Sequence, residues 1–109
     1  MASNPKLVSR LGSILAGRPG IEQRKMFGGV AYLLNGNMCV GVHKELLVVR
    51  AGERESAELL ERAHVRPMDI TGKPMKGWIM VGSDGLKRKA DLLRYVDAAL
   101  RFVAALPAK

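Results

Sequence analysis

Asn35-Gly36 stands between two apolar runs, Val30–Leu34 and Met38–Val42, and constrains the fold more than any other feature of the chain. A two-residue hairpin loop needs positive φ at both turn positions, which Asn and Gly accept at least cost. The two runs therefore read as adjacent antiparallel strands. His43-Lys44-Glu45 makes a second short connection into Leu46–Arg50, whereas a parallel pair would need a crossover of a dozen residues or more. The expectation is a meander of three successive strands.

Helical patterns flank this meander. Asn4-Pro5 reads as a helix start, because Asn accepts from first-turn N–H groups and Pro is pre-set for the first helical position. Leu7, Val8, Leu11, Ile14 and Leu15 follow on one stripe, and Gly17 and Pro19-Gly20 end it. Gly52 closes the meander, and Glu53–Ala63 reads as a short helix with Ala57, Leu60 and Ala63 as its inner stripe. Val65–Ile70 contains Pro67, which confines it to a short edge strand. After a turn at Thr71–Pro74, Gly77–Val81 is a strand closed by Gly82-Ser83-Asp84-Gly85. Leu92, Leu93, Val96, Ala99, Leu100 and Val103 then form the widest apolar stripe, in a helix from about Leu86 to Leu106.

The order is helix, three strands, helix, two strands, helix. It gives an α+β class, an antiparallel sheet covered by helices on one face. At 109 residues the chain matches one domain. With 48% hydrophobic residues and one cysteine, its core needs neither an internal disulfide nor a multi-cysteine zinc site. No apolar run suits a signal peptide or a membrane span, so the expected compartment is the cytoplasm. Only the first residues and Ala108-Lys109 are expected to be disordered.

Eighteen Lys plus Arg against ten Asp plus Glu leave a net charge of +8, which favours encounter with nucleic acid or anionic surfaces. The candidate basic surface comprises Arg24 and Lys25, Lys73 and Lys76, and Lys87, Arg88 and Lys89. A solvated surface is the commoner explanation of such runs. Single-strand binding would also want aromatics among the cations, and the two candidate stacking pairs are Phe27 beside Arg24-Lys25 and Trp78 beside Lys76. Both aromatics also suit core positions.

The catalytic patterns fail on spacing. Arg24-Lys25-Met26-Phe27-Gly28-Gly29 places glycines beside cations, but a strand follows where a phosphate loop requires Gly-Lys-Ser/Thr and a helix. The double glycine reads instead as a backbone device that bends the first strand and permits close packing, with Phe27 as a core anchor. Cys39 and His43 share a strand but stand about 13 Å apart at ordinary strand rise. With His64 they make a weak metal signature. Asp84 suits a turn or cap, and Asp69, near Arg66 and Lys73, suits an ion pair or a turn. No catalytic residue, metal ligand or cofactor site is assigned.

Two segments carry a family resemblance: RKMFGGVAYLLNGNMCVGV at 24–42 and VRPMDITGKPMKGW at 65–78. With the closing YVDAALRFVAALP helix they resemble the N-terminal domain of the TfoX/Sxy family over nearly the whole chain. The most specific positions are Met26, Phe27, Gly28 and Gly29, then Arg66, Pro67, Met68, Gly72, Pro74, Met75 and Gly77. The resemblance implies a fold similar to type III secretion chaperones. It also implies a non-enzymatic role, since the understood members are bacterial regulators of competence genes that act with other transcription factors. Those regulators carry a second, C-terminal domain, and this chain is expected to be a stand-alone first domain. The leading expectation is therefore a regulatory domain working through a protein partner or as a homodimer. The alternatives are direct nucleic-acid binding and an enzyme or binder acting on an anionic small molecule.

Overall fold

The computed structural model describes residues 4–26, 29–69 and 72–109. Helix α1 spans Pro5–Leu15. The Asn4 side chain caps it, accepting from the Lys6 and Leu7 N–H groups at 2.9 and 3.4 Å. Asn4 also donates its own backbone N–H to the Lys44 carbonyl (2.8 Å), tying the helix start to the strand turn beneath it. Leu7, Leu11 and Leu15, four residues apart, are the buried face.

Four strands follow: β1 (Ile21–Met26), β2 (Gly29–Leu34), β3 (Asn37–His43) and β4 (Leu46–Arg50). Helix α2 (Glu53–Leu59), strands β5 (Val65–Pro67) and β6 (Trp78–Val81), a 3-10 turn at Ser83–Gly85 and helix α3 (Lys89–Ala104) complete the chain. All six strands form one antiparallel sheet in the order β1-β2-β3-β4-β6-β5. The expected α+β class holds, as does the Asn35-Gly36 hairpin, whose residues sit at φ 53° and 85°. As expected, the Pro67 segment is a short edge strand.

The meander has four strands rather than three. Strand β1 escapes the pattern because it is an edge whose Glu22, Gln23, Arg24 and Lys25 are exposed, so it carries no apolar alternation. Met26 pairs with Gly29, which places that glycine at the start of β2 rather than at a bend within one strand. A Cβ on Gly29 would overlap the Val42 carbonyl oxygen of β3, so close backbone approach is its reason. Phe27 and Gly28, with the core-anchor and stacking readings of Phe27, lie outside the described residues, as do Met1–Ser3.

Sheet and helices share the main core. Tyr32, Val40, Val42, Leu47, Val49, Ile79 and Val81 meet α1 and α3 on one face. The Tyr32 hydroxyl donates to the Val8 carbonyl (3.1 Å), joining β2 to α1. Tyr32 pairs with Val40 and Leu33 with Met38, leaving Cys39 as the extra residue of a β-bulge. The opposite sheet face is not bare. Val48, Met80 and Met68 are buried there, with Met38, Leu46, Met75 and Trp78 half-buried around them.

Two expectations need correction. The inward positions of α2 are Ser56 and Leu59, not Ala57, Leu60 and Ala63. The helix ends at Leu59, and over two turns the 56/59 and 57/60 pairs have identical spacing, so residue type misleads. The C-terminal tail is also pinned rather than loose. Asn37 Nδ2 donates to the Pro107 carbonyl (2.8 Å), and the Lys109 N–H donates to the Asn35 carbonyl (2.9 Å).

Candidate functional site

The segment between β5 and β6 is a strap across the second sheet face, and it holds five of the eleven motif positions named above: Met68, Gly72, Pro74, Met75 and Gly77. Met68 is its buried plug, set against Val48 and Met80. Its carbonyl accepts from the Met75 N–H (3.0 Å), and the Met75 carbonyl accepts from the Trp78 N–H (3.2 Å). Gly72, at φ 92°, turns the strap and donates to the Asp69 carbonyl (2.8 Å). Asp69 thus serves as a turn residue through its backbone.

Gly77 joins the strap to α2. At φ 85° it turns its carbonyl to accept from both Ala51 and Gly52 N–H groups (3.1 and 3.0 Å). Gly52 lies under the Phe102 ring, where a Cβ would stand 2.5 Å from a ring carbon. The Arg50 guanidinium sits 5.3 Å from the Trp78 ring centroid and 5.8 Å from that of Phe102, within reach of the cation–π attraction of aromatic faces. Strap, β4, α2 and α3 therefore lock together around one corner of the sheet.

That corner holds an open cleft of about 410 Å³ between α2 and the strap, lined by Ser56, Leu60, Pro67, Pro74, Met75 and Trp78. Leu60 is exposed and Trp78 half-buried. The Ser56 hydroxyl is buried and has no hydrogen-bond partner among the described residues. Glu53 and Lys76 add one charge of each sign to the lining. The surface is thus mainly apolar, with one hidden polar atom. It suits the apolar body of a partner side chain.

Other concave places are chemically quieter. The larger groove between α2 and α3, about 650 Å³, alternates carboxylates and guanidiniums. Arg101 pairs with Glu55 (2.8 Å), and Arg62 bonds the Tyr95 hydroxyl (2.9 Å) and Asp91 (3.4 Å). Two of its guanidiniums, Arg62 and Arg101, are thus already engaged within the fold.

The remaining sequence candidates fall into ordinary surroundings. Cys39 is buried, donates to the Tyr32 carbonyl (3.2 Å), and has its thiol pushed up to about 11 by burial. At neutral pH it stays protonated, which suits a packed thiol and not a nucleophile. His43 lies four residues along the same strand, and His64 is exposed at φ 69°. Among the described residues no three His, Cys, Asp or Glu side chains group as metal ligands would. Asp84 pairs with Lys87 (3.3 Å) at the 3-10 turn.

The seven candidate basic residues occupy three places. Arg24 and Lys25 are on edge strand β1, where Arg24 pairs with Glu22 (3.0 Å). Lys73 and Lys76 are exposed on the strap. Four strand spacings of about 4.8 Å separate β1 from β6. Lys87, Arg88 and Lys89 lie beyond the far end of β6, where α3 begins. Sequence reasoning missed Ser56, Leu60 and Arg50 as site residues. The only available signal was a serine within an otherwise helix-forming stretch.

Comparison with protein-family models matches residues 13–103 to the TfoX N-terminal domain. The match spans the sheet, α2, the strap and nearly all of α3. A search of curated proteins finds no match to the chain. Among the described residues no helix is long and apolar enough to cross a membrane.

Proposed function

We propose that this chain, which belongs to the TfoX N-terminal domain family, works as a non-enzymatic protein-interaction domain in a regulatory role linked to transcription. Its contact surface is the cleft between α2 and the strap. One observation carries the reading: the family-specific Pro67, Pro74, Met75 and Gly77 line the same cleft as exposed Leu60 and half-buried Trp78. A partner side chain entering there removes apolar surface from water at roughly 25 cal/mol per Å². Aromatic residues ringed by water-excluding contacts are where interface energy concentrates.

The test is affinity capture from bacterial lysate with wild type and Leu60→Asp, at matched thermal midpoints. A specific protein retained by wild type and lost with Leu60→Asp is expected. No reproducible protein, or equal retention by both, contradicts the reading.

A second reading, direct nucleic-acid contact, draws on the net charge of +8 and on exposed Arg66, Lys73 and Lys76 along β5 and the strap. It requires affinity for labelled DNA or RNA that falls steeply with salt as counterions are released. The absence of any shift at low salt removes it.

A further inference from the structure

We propose that β1 is a self-pairing edge, through which two copies of this chain join as antiparallel strands about a two-fold axis at Gln23. Strand β1 ends the strand order, with β2 on one side and no other strand of the described residues on the other. Glu22, Gln23, Arg24 and Lys25 are all exposed. This surface is remote from the α2 cleft, and the proposal does not depend on the reading of that cleft.

Backbone alternation decides which groups are free. The Asn35 N–H donates to the Gly20 carbonyl (2.9 Å), so Gly20, Glu22, Arg24 and Met26 turn their hydrogen-bonding groups toward β2. Those of Ile21, Gln23 and Lys25 point to the open edge. An axis perpendicular to the sheet keeps each residue on its own face, so it must pass through a residue position. With the axis at Gln23, all three outward-facing residues pair: Gln23 with Gln23, and Ile21 with Lys25 in both directions.

Charge selects this register. At the Gln23 axis, Glu22 of each copy lies opposite Arg24 of the other, on the same face as the Glu22–Arg24 pair already present within each copy. Moving the axis to position 22 sets Glu22 against Glu22, and moving it to position 24 sets Arg24 against Arg24. Directly opposite like charges destabilise a strand pair and unlike charges support it. Charged edges ordinarily repel other strands; here the signs are spaced to complement a second copy in one register only. A single added strand buries less than the roughly 1,200–2,000 Å² of a stable interface, so the dimer is concentration-dependent.

Sedimentation equilibrium of the full chain over a wide concentration range, at low and high salt, tests the pairing. The expected result is a monomer–dimer equilibrium that weakens as salt rises. Glu22→Arg or Arg24→Glu alone places like charges opposite and raises the dissociation constant by about tenfold or more, whereas the exchange Glu22→Arg with Arg24→Glu restores it. Gln23→Pro removes the N–H at the axis without touching a bond to β2 and abolishes the dimer. If that variant does not fold, the exposed charge variants carry the test alone. A wild type that stays monomeric, a dimer indifferent to these changes, or an exchange variant no tighter than the single ones overturns the proposal. A monomer that still captures a protein through Leu60 overturns the pairing and leaves the cleft reading standing.

Discussion

Ser56 keeps a hydroxyl where apolar contact would serve folding better. Replacing a buried, unpartnered polar atom with a methyl group removes a desolvation cost. Ser56→Ala is therefore expected to leave thermal stability unchanged or raise it by about 1 kcal/mol. A fall in stability on chemical denaturation would show that the hydroxyl is engaged within the fold. Cys39 predicts a pH effect. Its thiol titrates near 11 in the folded chain against an ordinary value of 9.0, so above pH 9 the unfolded state holds fewer protons than the native one. Stability then falls as pH rises from 9 to 11, by on the order of 2 kcal/mol from this group. Burial raises the Tyr32 hydroxyl as well, which adds to the same alkaline loss. Cys39→Ala is expected to flatten the pH 9–11 slope of the denaturation midpoint, and an unchanged slope would contradict the assignment. That Cys39 is a packed hydrophobe was legible from its apolar neighbours. That Ser56 faces inward was not, because a two-turn helix offers two stripes of equal spacing and the alanines made the wrong one attractive.

Among the elements, those with their own signal were legible: α1 from its Asn4-Pro5 start, the β2–β3 hairpin from Asn35-Gly36, and α3 from its long stripe. Strand β1 had none. An edge strand shares one row of backbone bonds and buries little, so its sequence reads as polar and irregular although its backbone is regular. The strap is the intermediate case. Its motif was visible, but its tasks depend on partners distant in sequence: Met68 beneath the sheet and the Gly77 carbonyl against the start of α2. Gly52→Ala tests that junction. The change strains a φ of 85° and drives a methyl group toward the Phe102 ring. A loss of about 2–4 kcal/mol in denaturation is expected, and a neutral result would mean that α3 packs differently at this corner. Asn4→Ala removes the α1 cap and should cost about 1 kcal/mol, measured the same way.

For the whole molecule, the order of the patterns named the class and composition the charge, but neither showed where the charge and the apolar surface are used. The candidate cations behind the +8 balance are divided among β1, the strap and the start of α3. Apolar side chains outside the main core gather in the cleft and under the strap. The one β-face expected to be open is half covered, and the covering segment is the strap with Met68 and Met75. The chain has a single tryptophan, Trp78, and that residue lines the cleft. Its emission therefore reports on this surface without any label. Titrating the wild type with a protein captured through it should shift Trp78 emission to the blue and protect it from acrylamide quenching, when the partner lacks tryptophan or has it replaced. A complex that forms while Trp78 emission and quenching stay unchanged would place the contact elsewhere and contradict the account.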